Sequence, residues 1–310
     1  MSAHIPVLVE PLLRLTLPSD GRLDRVIDGT LGAGGHTRAM LQAGAGEVLA
    51  FDLDAAAIEI ARRVLAPDLE RVTIAQHSYV DMRAVAFQRG WREVDAIILD
   101  LGLSSMQLDD PARGFAFRHE GPLDMRFDAL NESVTAEELL NSLPEDDLAD
   151  LFFRYGEEKA ARKIAGAIVA QRPIGSTGEL ASLVKTVVPK RRRMTKIHPA
   201  TKVFQALRIA VNRELESLEK ALPVAVDLLR PGGRLAVIAF HSLEDRIVKR
   251  RFRELAQEIV APPGMASIKE KRALVRLVNR KPIAPDDKEL NSNPRSRSAR
   301  LRVVEKLKLD

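Results

Sequence analysis

Three carboxylates stand at the ends of short apolar runs, each beside residues that suggest a chemical use for it. Asp28 closes the run Arg25-Val26-Ile27 and opens the turn Gly29-Thr30-Leu31-Gly32-Ala33-Gly34-Gly35. Asp52 follows Glu47-Val48-Leu49-Ala50-Phe51, and Asp100 follows Ala96-Ile97-Ile98-Leu99. Gly32, Gly34 and Gly35 permit a tight turn and close approach of the backbone to a ligand. A carboxylate roughly 20 residues after such a loop is placed to accept both ribose hydroxyls of a nucleoside. The same glycines also suit a plain strand-to-helix turn, so the pairing with Asp52 is what carries the reading.

A nucleoside site of this kind serves dinucleotides and S-adenosylmethionine alike, and the loop separates them. A G-x-G-x-x-G fingerprint starting at Gly32 needs glycine at position 37, which is Thr37. Asp28 would lie near a pyrophosphate and repel it. S-adenosylmethionine has no phosphate and carries a sulfonium and an ammonium, so an acidic neighbour suits it. The loop therefore favours methyl transfer over hydride transfer.

These tips need elements to hold them. Strand signals at 25–28, 47–51, 72–75 and 96–99 alternate with helical spacing through Met40 and Leu41 and from Ala55 to Leu65. A fifth strand, Arg234 to Phe240, follows the turn Pro231-Gly232-Gly233, and weaker strands are expected at Ala273 to Val278 and Ala299 to Val304. This order predicts a doubly wound, Rossmann-like α/β sheet with helices on both faces and ligands outside the carboxyl ends of its strands. After the fourth strand come about 95 residues of helical pattern, far beyond an ordinary connection. Thr135 with Glu138 and Ser176 with Glu179 read as capping boxes. Helices are expected near 135–172 and 177–188, and another after Pro199 with Phe204, Leu207, Val211, Leu215 and Leu218 on one face. The expected division is a methyltransferase domain in two parts, 1–108 and 206–310, around an all-helical insertion at 109–205.

Composition narrows the class. The 310 residues carry 48 Lys and Arg against 43 Asp and Glu, a net charge of +5, and no cysteine, which excludes disulfides and thiolate metal sites. The start lacks a basic n-region, no apolar run approaches the roughly 18 residues of a bilayer span, and a cytoplasmic protein is expected. The six histidines show no paired ligand spacing, so no metal site is expected. Basic residues gather at Lys190 to Arg193, at Arg246, Lys249, Arg250, Arg251 and Arg253, and at Arg295, Arg297, Arg300 and Arg302. One such run is often a solvated face; three point towards nucleic acid.

The ordered motifs Asp28 to His36, Leu99 to Ser105, Gln107-Leu108-Asp109-Asp110, Arg113-Gly114-Phe115, Gly121 to Arg126, His198 to Thr201 and Phe240 to Arg246 resemble the bacterial ribosomal RNA small-subunit methyltransferase H, or MraW, family, from about His4 to about Val304. The resemblance implies S-adenosylmethionine as cofactor, held at Gly34, Gly35, His36, Asp52, Tyr79, Asp100 and Gln107. It implies methylation of the exocyclic N4 of a cytosine in small-subunit ribosomal RNA, with the assembled subunit as partner, and a methyltransferase domain interrupted by helices. Tyr79 stands where similar proteins more often have phenylalanine; it keeps the ring and adds a hydroxyl that needs a polar partner.

A cytosine amine is a poor nucleophile because its lone pair is delocalised into the ring. Asp100 and the Leu101 carbonyl are the expected acceptors for its hydrogens, and His241 is a candidate for the released proton or a structural histidine. The base must leave its stack. Phe115 and Phe117 are candidates to stack on it, or to pin their loop to the helical insertion. On a helix, Arg246, Lys249, Arg250 and Arg253 share one face, where Lys249, Arg250 and Arg253 are expected to grip phosphate. Two other readings remain open on the residues: a nicotinamide-dependent oxidoreductase, and an RNA-binding ribosome-assembly factor without catalysis.

Overall fold

The computed structural model describes residues 6–128, 133–188, 198–259 and 272–308. Seven strands form one sheet in the order β3-β2-β1-β4-β5-β7-β6. They are β1 (Arg25–Asp28), β2 (Glu47–Phe51), β3 (Val72–Ala75), β4 (Val94–Asp100), β5 (Leu229–Ala239), β6 (Val275–Leu277) and β7 (Arg300–Lys306). β1 to β5 run parallel, and β7 lies antiparallel between β5 and β6. The order turns back between β1 and β4, which is the switch point where open α/β sheets bind ligands.

Alternation along each strand divides the core between the two faces of the sheet. Ile27, Leu49, Phe51, Ile97, Leu99, Leu235 and Val237 belong to one buried cluster, with Met82, Leu222 and Phe252 from covering helices. Val26, Val48, Ala50, Ala96, Ile98, Ala236 and Ile238 belong to the other, with Leu12, Met40 and Ile58. Both faces are therefore covered, as the apolar character of β4 demands. The weakly signalled β6 and β7 are present. β5 starts earlier than the sequence suggests: Leu229 pairs with Val94 and Arg234 with Ala96, and the intervening Pro231-Gly232-Gly233 forms an irregularity inside the strand.

The chain divides into two compact units, 1–102 with 215–310, and 103–214. The second unit is helical, with a core that includes Phe115, Leu140, Leu148, Phe152, Ile164, Leu180, Phe204 and Leu207. Both expected capping boxes are formed, at Thr135 and Ser176. The helical stretch expected over 135–172 is three helices, Ala136–Ser142, Glu145–Gly156 and Ala161–Gln171. Pro144 ends the first because the residue before a proline avoids the α region, and Glu157 ends the second in a left-handed conformation at φ 48°. The long helix expected after Pro199 is also broken. Thr201–Asn212 stops at Arg213, φ 50°, and Glu214–Leu228 follows. A left-handed stop at a residue other than glycine leaves no mark in the sequence.

Candidate cofactor site

β1, β2 and β4 end side by side, so parallel pairing brings the tips carrying Asp28, Asp52 and Asp100 to one edge. The backbone reinforces this: Gly29 N–H donates to the Ile98 carbonyl at 2.9 Å and Leu31 N–H to the Phe51 carbonyl at 2.8 Å. Asp52 ties the glycine loop to β2. Its Oδ2 accepts from Gly32 N–H at 2.7 Å and its Oδ1 from Asp54 N–H at 2.9 Å. Burial outweighs these bonds and pushes its carboxyl up to about 6.

The glycines serve different ends. Gly34 caps the helix Gly35–Gln42 at φ 82°, and a side chain there would press on Leu65; one at Gly35 would press on Pro6. Gly32, at φ 51°, faces open space, and it is the loop glycine beside which a ligand can lie. Thr37, which breaks the dinucleotide fingerprint, has a positive role: its hydroxyl donates to Asp28 Oδ2 at 2.7 Å, and Thr30 N–H donates to Oδ1 at 3.1 Å. Asp28 is wholly buried, and that burial raises its pKa. So placed, it can reach a ligand only through its field.

Asp100 is the least satisfied of the three. Its N–H donates to Thr30 Oγ at 2.6 Å, its Oδ2 lies 3.4 Å from His36 Nδ1, and its Oδ1 is buried with no hydrogen-bond donor among the described residues. Burial pushes its carboxyl up to about 6; His36 opposes the shift, and Asp28 and Glu244 add to it. The buried Glu244 was not anticipated as part of the site. Its Oε2 accepts from Phe240 N–H at 2.7 Å and His241 N–H at 3.2 Å, and the motif His241 to Glu244 is a capping box with histidine in place of serine. The S/T-x-x-E pattern therefore failed to reveal it.

The site thus offers acceptors and negative field, with His36 as the basic group among them. Such a set suits a nucleoside bearing positive charge and repels a pyrophosphate, which needs donors. An orphaned buried carboxylate oxygen at Asp100 fits the same ligand, because a nearby cation recovers part of the desolvation cost.

The MraW methylase family model matches residues 1–307. The chain belongs to that family. It is 48% identical over 309 residues to the ribosomal RNA small subunit methyltransferase H of Syntrophobacter fumaroxidans, covering 98% of this chain and 96% of that protein. The enzyme of the same name from Thermomicrobium roseum is 49% identical over 315 residues, covering 100% of this chain and 95% of the relative. A solved rRNA methylase from Streptococcus thermophilus aligns with 99% of this chain and 100% of its own at 12% identity and a TM-score of 0.43. This MraW-family chain is a methyltransferase, and the nicotinamide alternative falls away.

Other expected residues are placed less simply. Tyr79 opens the short turn Tyr79–Asp81 after β3, and Gly29 must lack a side chain because its Cβ would press on Leu99 and Tyr79. Gln107 is buried in the helical unit, where it completes the capping box of the helix Ser105–Asp109, Oε1 accepting from Ser104 N–H at 3.1 Å. His241 is the cap of the helix Ser242–Ala256: Nδ1 accepts from Glu244 N–H at 3.4 Å, and Nε2 lies 3.1 Å from Glu244 Oε1. A ring whose Nδ1 lone pair holds a helix end is a poor acceptor for a released proton, so the structural alternative fits it better.

Phe115 is a correction. It is 5% exposed in the core of the helical unit, its ring 5.8 Å from that of Phe127 and 5.6 Å from the Arg113 guanidinium, so it has no free face for a base. Phe117 packs on His198 at 4.6 Å and Phe204 at 5.0 Å. The loop-pinning alternative describes both. Arg113 completes it, donating to the carbonyls of Arg126 and Phe127 at 2.8 and 2.9 Å.

The basic face of Ser242–Ala256 is exposed at Arg246, Lys249, Arg250 and Arg253. Arg250 is engaged by Glu219 at 3.1 Å and Glu254 at 3.8 Å. Arg302 forms a two-bonded pair with Asp245 at 2.7 and 3.0 Å, which removes it from the C-terminal cluster. Arg295 and Arg297 are exposed in the turn Pro294–Ser298. The cluster Lys190 to Arg193 lies outside the described residues.

Proposed function

We propose that this methylase uses S-adenosylmethionine to methylate N4 of a cytosine in small-subunit ribosomal RNA, in the cytoplasm, on an assembled small subunit. The observation that carries the reading is the acceptor-only cluster at the tips of β1, β2 and β4, in a chain whose relatives bear the name of that enzyme.

S-adenosylmethionine, when bound, supplies an electrophilic methyl group. Asp52 and Gly32 hold its ribose and Tyr79 its adenine, while Asp28, Asp100 and Glu244 supply the negative field that its positive charge needs. Asp100 accepts a hydrogen bond from the target amine and takes the proton that the nitrogen releases. A carboxylate beside the reacting nitrogen stabilises the positive charge arriving there, which lowers the barrier directly. Leu101 continues the strand, its N–H fixed to the Ile238 carbonyl at 2.9 Å, and its own carbonyl is the second acceptor for the amine. Lys249 and Arg253 meet phosphate near the target, with Arg250 released from its glutamates when RNA arrives.

The test is transfer of labelled methyl from S-adenosylmethionine to purified, unmodified small subunits, with the labelled nucleotide mapped. Label on a cytosine N4 is expected. Label on another atom or on free RNA alone overturns the substrate assignment, and binding of subunits without any label supports an assembly factor.

A further inference from the structure

The environment of His36 imposes a protonation problem. The ring is 5% exposed, at the start of the helix Gly35–Gln42. Its Nε2 lies 2.9 Å from the Val7 carbonyl, which can only accept, so Nε2 carries a hydrogen. In a neutral ring Nδ1 is then bare, yet it faces Asp100 Oδ2 at 3.4 Å. Two acceptor lone pairs in a buried site repel unless a proton lies between them. The Val7 carbonyl is itself held in place. Leu8 N–H donates to Glu289 Oε1 at 2.7 Å, and Pro6 packs on Gly35, so the ring has little freedom to flip the relation.

We propose that His36 and Asp100 share one proton across the Nδ1–Oδ2 contact, and that His36 is a positioning residue keeping Asp100 competent to accept from the target amine. The charged groups around the pair pull that proton in opposite directions. Asp28 on β1 and Glu244 on Ser242–Ala256 both act on Asp100 with negative charge, and His36 supplies the opposing positive charge. Burial pushes the Asp100 carboxyl up to about 6 even with that help. Without His36 the carboxylate would face Asp28 and Glu244 alone, and its proton would leave only at higher pH. On accepting the amine proton Asp100 becomes neutral, while the shared proton stays between it and His36.

The catalytic half of this proposal rests on the methyl-transfer reading; the shared proton does not. The first measurement is therefore histidine 15N NMR of the ligand-free protein near neutral pH, with His36 assigned by its loss in His36→Gln. Both ring nitrogens of His36 are expected to be protonated or strongly hydrogen-bonded. In Asp100→Asn, whose amide can donate to Nδ1, the ring should become neutral with hydrogen on Nε2 only. A bare Nδ1 unchanged by Asp100→Asn, or a ring with hydrogen on Nδ1 and none on Nε2, overturns the proposal. The second measurement is the single-turnover rate on subunits against pH. The acid limb should move upward in His36→Gln, so that the loss is roughly tenfold or more at pH 7 and shrinks by about tenfold for each unit by which the pH is raised, until the new limb is passed. An equal loss at every pH marks a merely structural histidine and overturns the positioning role. Absence of methyl transfer in the wild type, with the NMR result intact, would count against the functional reading alone.

Discussion

At the scale of single residues, the proposed function gives Asp52 two jobs with one carboxylate. Its oxygens already accept from Gly32 and Asp54, so the lone pairs left over are the ones offered to a ribose. Asp52→Ala therefore removes ligand contacts and frees the loop together. Hydrogen bonds to a charged group contribute about 1.5–3 kcal/mol, which predicts S-adenosylmethionine affinity weaker by roughly 10- to 150-fold. Calorimetry should show this loss, with faster amide exchange at Gly32. Unchanged affinity in a folded variant, with the exchange effect alone, would make Asp52 only a loop anchor. Asp28 and Thr37 show a different economy: the residue that spoils a dinucleotide fingerprint holds a buried carboxylate in place.

At the scale of elements, the helix Ser242–Ala256 carries the substrate argument. Among the described residues, Lys249 and Arg253 have no carboxylate within ion-pair distance, unlike Arg250. Replacing both with Gln should weaken subunit binding and reduce the salt slope by about 1.4–1.8, for two phosphate contacts. Cofactor affinity should be unaffected. Parallel slopes for variant and wild type would return this face to solvent. In the helical unit, the capping box at Thr135 satisfies the first turn of Ala136–Ser142, with Glu138 N–H donating to Thr135 Oγ at 3.2 Å and Thr135 N–H to Glu138 Oε2 at 2.8 Å. Thr135→Ala should cost about 1 kcal/mol by denaturant titration. A change below a few tenths would show that the core around Leu140 holds this helix without its cap.

At the scale of the whole molecule, the buried carboxylates make stability depend on pH and on ligand. Asp100 has its carboxyl at about 6 in the fold, above its ordinary value of 3.8. The folded state holds that proton more tightly than the unfolded chain does. Its contribution is thus fully present below about pH 4 and is lost as pH rises through about 6. Asp100→Asn cannot ionise, so the ligand-free variant should match the wild type near pH 4 and exceed it near pH 8, by up to about 3 kcal/mol. Thermal unfolding at the two values measures the difference. A gap that stayed constant with pH would mean that Asp100 is not held in so costly a place. Added S-adenosylmethionine should narrow the gap at pH 8, because only the wild type regains the lost interaction.

Much of this is legible from residue order alone. Apolar runs ending in Asp28, Asp52 and Asp100 determined the strands, and alternation with helical spacing determined a two-faced sheet, because burial on both faces leaves that signature. The two capping boxes and the long helical insertion were readable for the same reason: they are local, set by residues three or four apart. The rest depends on groups far apart in the chain or on conformations that composition does not mark. The left-handed stops at Glu157 and Arg213 are of the second kind. Phe115 reads as a free aromatic until the helical core closes over it. Arg250 and Arg302 read as cations for phosphate until Glu219 and Asp245 reach them across the fold. The clearest case is His36, which comes from one element, faces Asp100 at the tip of another and turns its second nitrogen to Val7. Its motif marked it as a site residue, but its proton is fixed by two partners that only folding brings together.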